Sequence, residues 1–315
     1  VRQSVNQKPR LGCEIPGTRK DAFDLRQGSR FDVPLKSAKV KSNAMAYSYP
    51  LSIQLTLPDQ YQRERSFLEV LEALESYGFS GVELNIVQPQ RVDPEELKKL
   101  LDRFGLRLTM FASGAAAKAE GLSLSSPEER VVKKSVARCR EFIRFAECFA
   151  AGVIIGFLKG TAVADLERLR SRFGNSLEEI AAPAREARVP ILIEATNRYE
   201  SAVANTLDDT YSLIAPFSGN PYVRMLPDTF HMNIEEKDQF GALKKYSSLF
   251  DSLHLSDNNR FFPGLGAIRF GELFRFLASI DYRGSIAIEG VISKDLLSDL
   301  RVSMAYLQPM IRADR

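Results

Sequence analysis

A chain of 315 residues with 44% apolar content can bury a full-sized core, and one large domain suits it better than two average ones. Its net charge of +3 is uneven: residues 1–44 hold ten Lys/Arg against four Asp/Glu, leaving 33 basic and 36 acidic residues in the remainder and no charge-based reason to expect nucleic acid. Two histidines in all exclude histidine-rich metal clusters, and three cysteines (Cys13, Cys139, Cys148) without ligand spacing or an even framework suit a reducing cytoplasm.

Residues 1–44 scatter Pro, Gly, Arg and Lys without an apolar period and lack the apolar stretch of a secretory signal. They read as a disordered leader or a non-native extension. Ser42-Asn43-Ala44 resembles a cloning scar, an upstream extension of the reading frame accounts for it equally well, and Met45 is the expected natural start. From there to residue 315, strand and helix patterns alternate eight times. Strands are expected at 51–57, 81–86, 107–113, 152–158, 190–196, 222–228, 251–256 and 284–289. Helices are expected at 63–78, 94–104, 127–149, 164–187, 206–217, 239–249, 270–280 and 293–310. Asp93-Pro94 and Ser126-Pro127 signal helix starts, and Tyr77-Gly78 and Phe104-Gly105 signal stops. Cys148 to Leu158, the longest apolar stretch, contains two glycines and is too short to span a bilayer, so no membrane partner is expected. Eight successive βα units predict an α/β fold of the (β/α)8 TIM barrel type.

Four residues each close, or nearly close, one of the last four strands: Glu194, Asp228, His254 and Glu289, spaced 34, 26 and 35 residues apart. Each gap is about one strand-loop-helix-loop unit, which puts all four on the rim where barrel active sites lie. One such carboxylate alone would more often be a helix cap or a surface ion pair. Four in register make an oxygen-rich site for a divalent cation.

Three segments carry a resemblance: Ile193-Glu194-Ala195-Thr196-Asn197-Arg198-Tyr199-Glu200, Asp228-Thr229-Phe230-His231-Met232-Asn233-Ile234-Glu235-Glu236, and His254-Leu255-Ser256-Asp257-Asn258-Asn259-Arg260 followed by Pro263-Gly264-Leu265-Gly266. Together they resemble the sugar isomerase/epimerase superfamily of xylose isomerase-like TIM barrels, most closely its D-tagatose and D-psicose 3-epimerase branch. The resemblance implies one metal ion, Mn2+ with Co2+ or Mg2+ as alternatives, held by Glu194, Asp228, His254 and Glu289. It also implies substrate contacts from Glu200, His231 and Arg260. The chain departs from the family's pattern at Ala267-Ile268-Arg269-Phe270, at Gly290-Val291 after the last ligand, and in having no tryptophan.

Epimerisation beside a ketone needs a weakly acidic C–H proton removed from one face and returned to the other. Two carboxylates can exchange those roles, each contributing about 10²- to 10⁴-fold, and Glu194 and Glu289 are the candidates. The leading function is therefore a metal-dependent ketose 3-epimerase acting on a small sugar in the cytoplasm, with homo-oligomerisation left open. Alternatives are an inosose or keto-glycoside isomerase or dehydratase on the same scaffold, and a non-catalytic sugar-binding protein. An abasic-site endonuclease sharing the barrel would need more histidines than two. Other rim candidates stay open: Lys159 as a solvated cation or an anion contact, Glu83 as a barrel-network or a sugar-binding carboxylate. Phe261-Phe262 reads as loop packing, Phe111 and Phe157 as pocket walls, and Gly264 and Gly266 as tight-turn residues. Because the leader lacks an apolar period, removing residues 1–44 is expected to leave the melting temperature and turnover nearly unchanged, as calorimetry of the shortened chain would show.

Overall fold

A computed structural model describes residues 47–161 and 165–312; the leader and Met45 lie outside the described residues. All eight expected strands form: β1 (Leu51–Thr56), β2 (Gly81–Asn85), β3 (Arg107–Ala112), β4 (Gly152–Ile155), β5 (Ile191–Glu194), β6 (Val223–Leu226), β7 (Ser252–Leu255) and β8 (Ser285–Ile288). They pair in parallel in the order β6-β5-β4-β3-β2-β1-β8-β7, the nearly closed sheet of a TIM barrel. The seam between β6 and β7 has no continuous ladder. An isolated parallel bridge between Asp228 and His254 draws it together, and the His254 N–H donates to the Pro227 carbonyl at 3.0 Å.

Ten α-helices are described: α1 (Arg65–Tyr77), α2 (Pro94–Asp102), α3 (Gly114–Glu120), α4 (Glu129–Glu147), α5 (Leu166–Ala187), α6 (Leu207–Ile214), α7 (Thr229–Glu235), α8 (Gln239–Lys245), α9 (Phe270–Ser279) and α10 (Leu296–Ile311). Asp93 caps α2 by accepting from the Glu95 and Glu96 N–H groups, and Gly78 ends α1 in a left-handed conformation at φ 79°. α3 and α7 were not expected from the sequence. Each is seven residues long, too short to show a helical period, and α7 depends on Asp228 as its cap. No helix among the described residues is long and apolar enough to cross a membrane.

The strands end earlier than their apolar runs suggest, because the last residues of each run leave the ladder to build the rim. β4 stops at Ile155; Gly156 turns the chain (φ −101°, ψ −95°) into a short 3-10 turn, Phe157–Lys159. Inside the barrel the two halves differ. On β3 to β6, Met110, Ala112, Ile154, Leu192 and Leu226 form an apolar cluster. On β1 and β2, the face opposite to Ile53, Val82 and Leu84 carries Ser52, Gln54, Glu83 and Asn85, with Asn85 Nδ2 donating to Gln54 at 2.8 Å.

Outside the sheet, Phe111 of β3 is fully buried and stacks on Phe142 of α4, ring centres 4.6 Å apart. It therefore anchors a helix and does not wall a rim pocket, correcting the sequence-based expectation. Phe142→Ala would leave a cavity against Phe111 and is expected to lower stability by about 3 to 5 kcal/mol in denaturant titration.

Candidate metal centre

Glu194, Asp228, His254 and Glu289 converge on the C-terminal rim, and one ligand atom from each can be chosen so that all lie within 4.8 Å of one another. Glu194 ends β5, His254 lies one residue before the end of β7, and Glu289 follows β8. Asp228 divides its two oxygens between structure and site. Oδ1 caps α7 by accepting from the Phe230 and His231 N–H groups at 2.7 and 3.2 Å, while Oδ2 faces the cluster. The helix-cap role that a lone carboxylate suggests and a place in the candidate ligand cluster thus belong to one side chain.

His254 is held from both ring nitrogens. Nε2 lies 2.9 Å from Glu83, and Nδ1 lies 2.5 Å from Glu289 and 3.6 Å from Glu194. Glu83 is buried in the barrel, so of its two sequence-level readings the network is the one formed. A carboxylate behind the remote nitrogen is the arrangement that orients a metal-ligating imidazole; here Nδ1, the nitrogen that faces the cluster, is bonded to Glu289. Burial alone would lower the His254 pKa, but Glu83 and Glu289 outweigh it and raise the imidazole well above its ordinary range. Burial would likewise raise Glu289, but Arg260 and His254 hold its carboxyl well below the usual carboxylate range.

The donor set fits a divalent cation. Glu194 Oε1 is buried and has no hydrogen-bond partner, although it lies among His231, His254 and the other carboxylates. A buried anionic oxygen without a donor is costly unless a cation shares the space. The neighbouring backbone is shaped around this carboxylate: a Cβ on Gly156 would meet Glu194 Oε2 at 2.1 Å.

The expected substrate contacts surround this cluster unequally. Arg260 Nη1 and Nη2 each lie 2.8 Å from a carboxylate, of Asp228 and Glu289 respectively, and its guanidinium stacks over Phe230 at 5.0 Å. His231 Nδ1 accepts the Asn197 backbone N–H at 3.1 Å, so its proton sits on Nε2, the nitrogen 3.8 Å from Glu194. Glu200 is joined to this group through Asn197, whose Nδ2 donates to it at 3.3 Å.

Several supporting residues had no signal in the sequence beyond their neighbours. Asp257 is fully buried and accepts four backbone N–H groups, from Asn258 and Ile268 at 2.9 Å on Oδ1 and from Gly264 and Gly266 at 3.0 and 2.9 Å on Oδ2. It folds the loop that carries Arg260, itself at a left-handed φ of 65°. Gly264 and Gly266 are tight-turn residues as expected: the first has φ 90°, and a Cβ on the second would meet Asp257 at 2.4 Å. Arg198 forks onto Glu235 at 2.7 to 3.1 Å, tying the loop after β5 to α7.

Lys159 departs from both of its sequence-level readings. It is fully buried, donating to the Glu194 carbonyl, to Thr196 Oγ1 at 2.9 Å and to the Ala204 carbonyl at 3.1 Å. Burial pulls its ammonium down to about 7, against the raising influence of Glu194 and Glu200. All three donors have acceptors, so it is neither solvated nor available to a substrate anion. Of the departures from the family pattern, Arg269 pairs with Glu272 on the surface, and Gly290 packs where a Cβ would meet the Arg260 carbonyl at 2.8 Å.

Beside Arg260 and Glu289 opens a cavity of about 570 Å³. Gln54, Thr56 and Asn85 give it a polar side, and Leu55, Phe67, Val70, Phe262 and Leu296 an apolar one. Phe262 is loop packing as expected, being 1% exposed, and it also reaches this wall; Phe157 is not among the lining residues.

The model of the xylose isomerase-like TIM barrel family matches residues 71–310. The chain belongs to this family. It is similar to a probable ketose 3-epimerase of Synechocystis sp., 27% identical over 235 residues that cover 72% of this chain and 79% of the relative. It is also similar to the 3-dehydro-D-guloside 4-epimerase of Escherichia coli, 28% identical over 258 residues, covering 77% of this chain and 94% of the relative. A solved structure of an L-ribulose 3-epimerase superposes with a TM-score of 0.71 at 23% identity, over 84% of this chain and 94% of the other, a likeness of fold.

Because Gly156 leaves no room for a Cβ against Glu194, Gly156→Ala is expected to displace that carboxylate and weaken Mn2+ binding by at least ~10-fold while the barrel stays folded. Calorimetric metal titration beside a thermal melt would check it.

Proposed function

We propose that the protein is a divalent-metal-dependent sugar epimerase acting at C3 of a ketose. The observation that carries this reading is the pairing of Glu194 and the partly exposed Glu289 within one ligand-candidate cluster, with the unpartnered Glu194 oxygen facing into it. The ketose 3-epimerase relative supports the choice of reaction. Glu194, Asp228, His254 and Glu289 would hold the ion; three carboxylates and one imidazole suit Mn2+, with Co2+ and Mg2+ as alternatives. When bound, a divalent cation supplies positive charge against the oxygens of an enediolate as it develops.

The chain's own groups supply the rest. One glutamate accepts the C3 proton from one face of the substrate, and the other returns a proton to the opposite face. Protonated at Nε2, His231 donates to a substrate oxygen next to Glu194. Arg260 presents its guanidinium beside Asp228 and Glu289, where it orients the oxygens that gain charge, and Glu200 hydrogen-bonds the same end of the sugar through the loop that Asn197 anchors.

The apolar wall of the cavity favours a second reading. Leu55, Phe67, Val70 and Leu296 offer no partner to sugar hydroxyls, and about 570 Å³ lies within the ~300 to 1,000 Å³ of small-molecule sites in general. A keto-glycoside, whose aglycone could occupy that wall, fits these features, and the 4-epimerase relative acts on a substrate of that kind by its name.

Incubation in D2O with Mn2+ and a panel of ketoses and keto-glycosides separates the readings. Deuterium is expected at C3 of a ketose; entry at C4 of a keto-glycoside selects the second reading, and exchange confined to C1 with an aldose as product rejects both. Chelator treatment should abolish turnover and Mn2+ or Co2+ should restore it, whereas full activity of a verified metal-free preparation would remove the metal from the mechanism. Glu289→Gln and Glu194→Gln keep shape and an oxygen but lose the base, so kcat should fall by at least ~10²-fold.

A further inference from the structure

We propose that Lys159 is a positioning residue for the metal centre, holding Glu194 and the loop after β5 in the geometry that coordination and proton transfer require. The proposal rests on the metal-site reading above, but not on the identity of the sugar.

Lys159 ends the 3-10 turn after β4, a strand that contributes no ligand to the cluster. Its three N–H donors reach the Glu194 carbonyl, Thr196 Oγ1 and the Ala204 carbonyl, and the side chain is fully buried. An ammonium has three protons and no acceptor, so no donor is left for a substrate. Its influence therefore passes through the groups it holds.

Those groups are the backbone frame of the site. The Glu194 carbonyl belongs to the residue whose side chain enters the cluster. Thr196 and Ala204 are the two ends of the following loop, where the Thr196 N–H also donates to the Ala204 carbonyl at 3.1 Å. Ala204 stands at a left-handed φ of 58°, a conformation that persists in a non-glycine residue only where its surroundings over-determine it. Between these ends sits Asn197, which sets the His231 tautomer and binds Glu200. The same turn also supplies Gly156, whose missing side chain gives the Glu194 carboxylate its space. Lys159 is itself anchored, its carbonyl accepting from the Ser125 N–H at 3.1 Å and the Ser125 hydroxyl at 2.7 Å. The turn after β4 thus fixes Glu194 at both ends, making room for the carboxylate with Gly156 and holding the carbonyl with Lys159.

The test uses the full chain and Mn2+ alone as the metal probe. Lys159→Met keeps the length of the side chain and removes its donors. Mn2+ affinity, read by calorimetry, is expected to weaken by ~10-fold or more, and kcat at saturating Mn2+ to fall by up to about 10²-fold with KM within about twofold, the signature of a displaced reacting group. Introducing Lys159→Cys and aminoethylating it in the unfolded chain before refolding restores an ammonium at similar reach; it should recover both quantities, with equally treated wild-type chain as control. Wild-type Mn2+ affinity and kcat in folded Lys159→Met would overturn the proposal, as would a loss confined to melting temperature. Should Lys159→Met fail to fold, Thr196→Val, which removes one acceptor and keeps the lysine, carries the same test: a parallel, smaller loss supports the role and unchanged values reject it. A wild-type chain that does not bind Mn2+ would instead refute the metal-site reading itself.

Discussion

Four carboxylates, three buried and Glu289 partly so, crowd the rim and interior of one barrel and repel one another, and the structure around them answers that repulsion. Glu83, Glu194, Asp228 and Glu289 crowd a single imidazole, His254, which touches or faces all of them. In a low-dielectric interior such a set persists only if positive charge is supplied close by. Arg260 supplies part of it through Asp228 and Glu289, the imidazole of His254 another part, and Lys159 lies behind Glu194. The unpartnered Glu194 oxygen marks where a further cation fits.

This constraint explains the investment in backbone geometry around the rim. The Arg260 loop is wound about the Asp257 carboxylate and ends against Gly290, so that the guanidinium arrives from a strained left-handed residue at the required place. Asp228 is immobilised by the N-terminus of α7, and the bridge between Asp228 and His254 is also what draws β6 toward β7. The residues that meet across the seam are thus two of the four ligand candidates.

The interior of the barrel is divided to match. Apolar residues on β3 to β6 form a firm floor beneath Glu194 and Asp228, whereas β1 and β2 carry polar side chains toward Glu289 and the cavity. The cavity beside Arg260 and Glu289 accordingly has both hydrogen-bonding and apolar walls.

The eight strands and the four rim residues were legible in the sequence because both follow from local rules. Apolar runs of strand length mark a parallel barrel, and a polar residue closing each run marks the rim. His231 and Arg260 were placed near the cluster by the family resemblance instead, three and six residues beyond a ligand candidate. What the sequence by itself could not determine was any property set by partners distant along the chain. Lys159 looked like a solvated strand-end cation and proved buried, because its acceptors come from the next strand and from a loop 45 residues away, at Ala204. Glu83 was undecided until β2 met His254, 171 residues on. Phe111 turned outward to α4, α7 is capped by Asp228 just beyond the end of β6, and Asp257 became a loop organiser only when four distinct N–H groups closed on it. Periodicity records which face of an element is apolar; only tertiary packing decides which buried polar group finds which partner, since that partner is chosen by where the folded backbone brings donors and acceptors together.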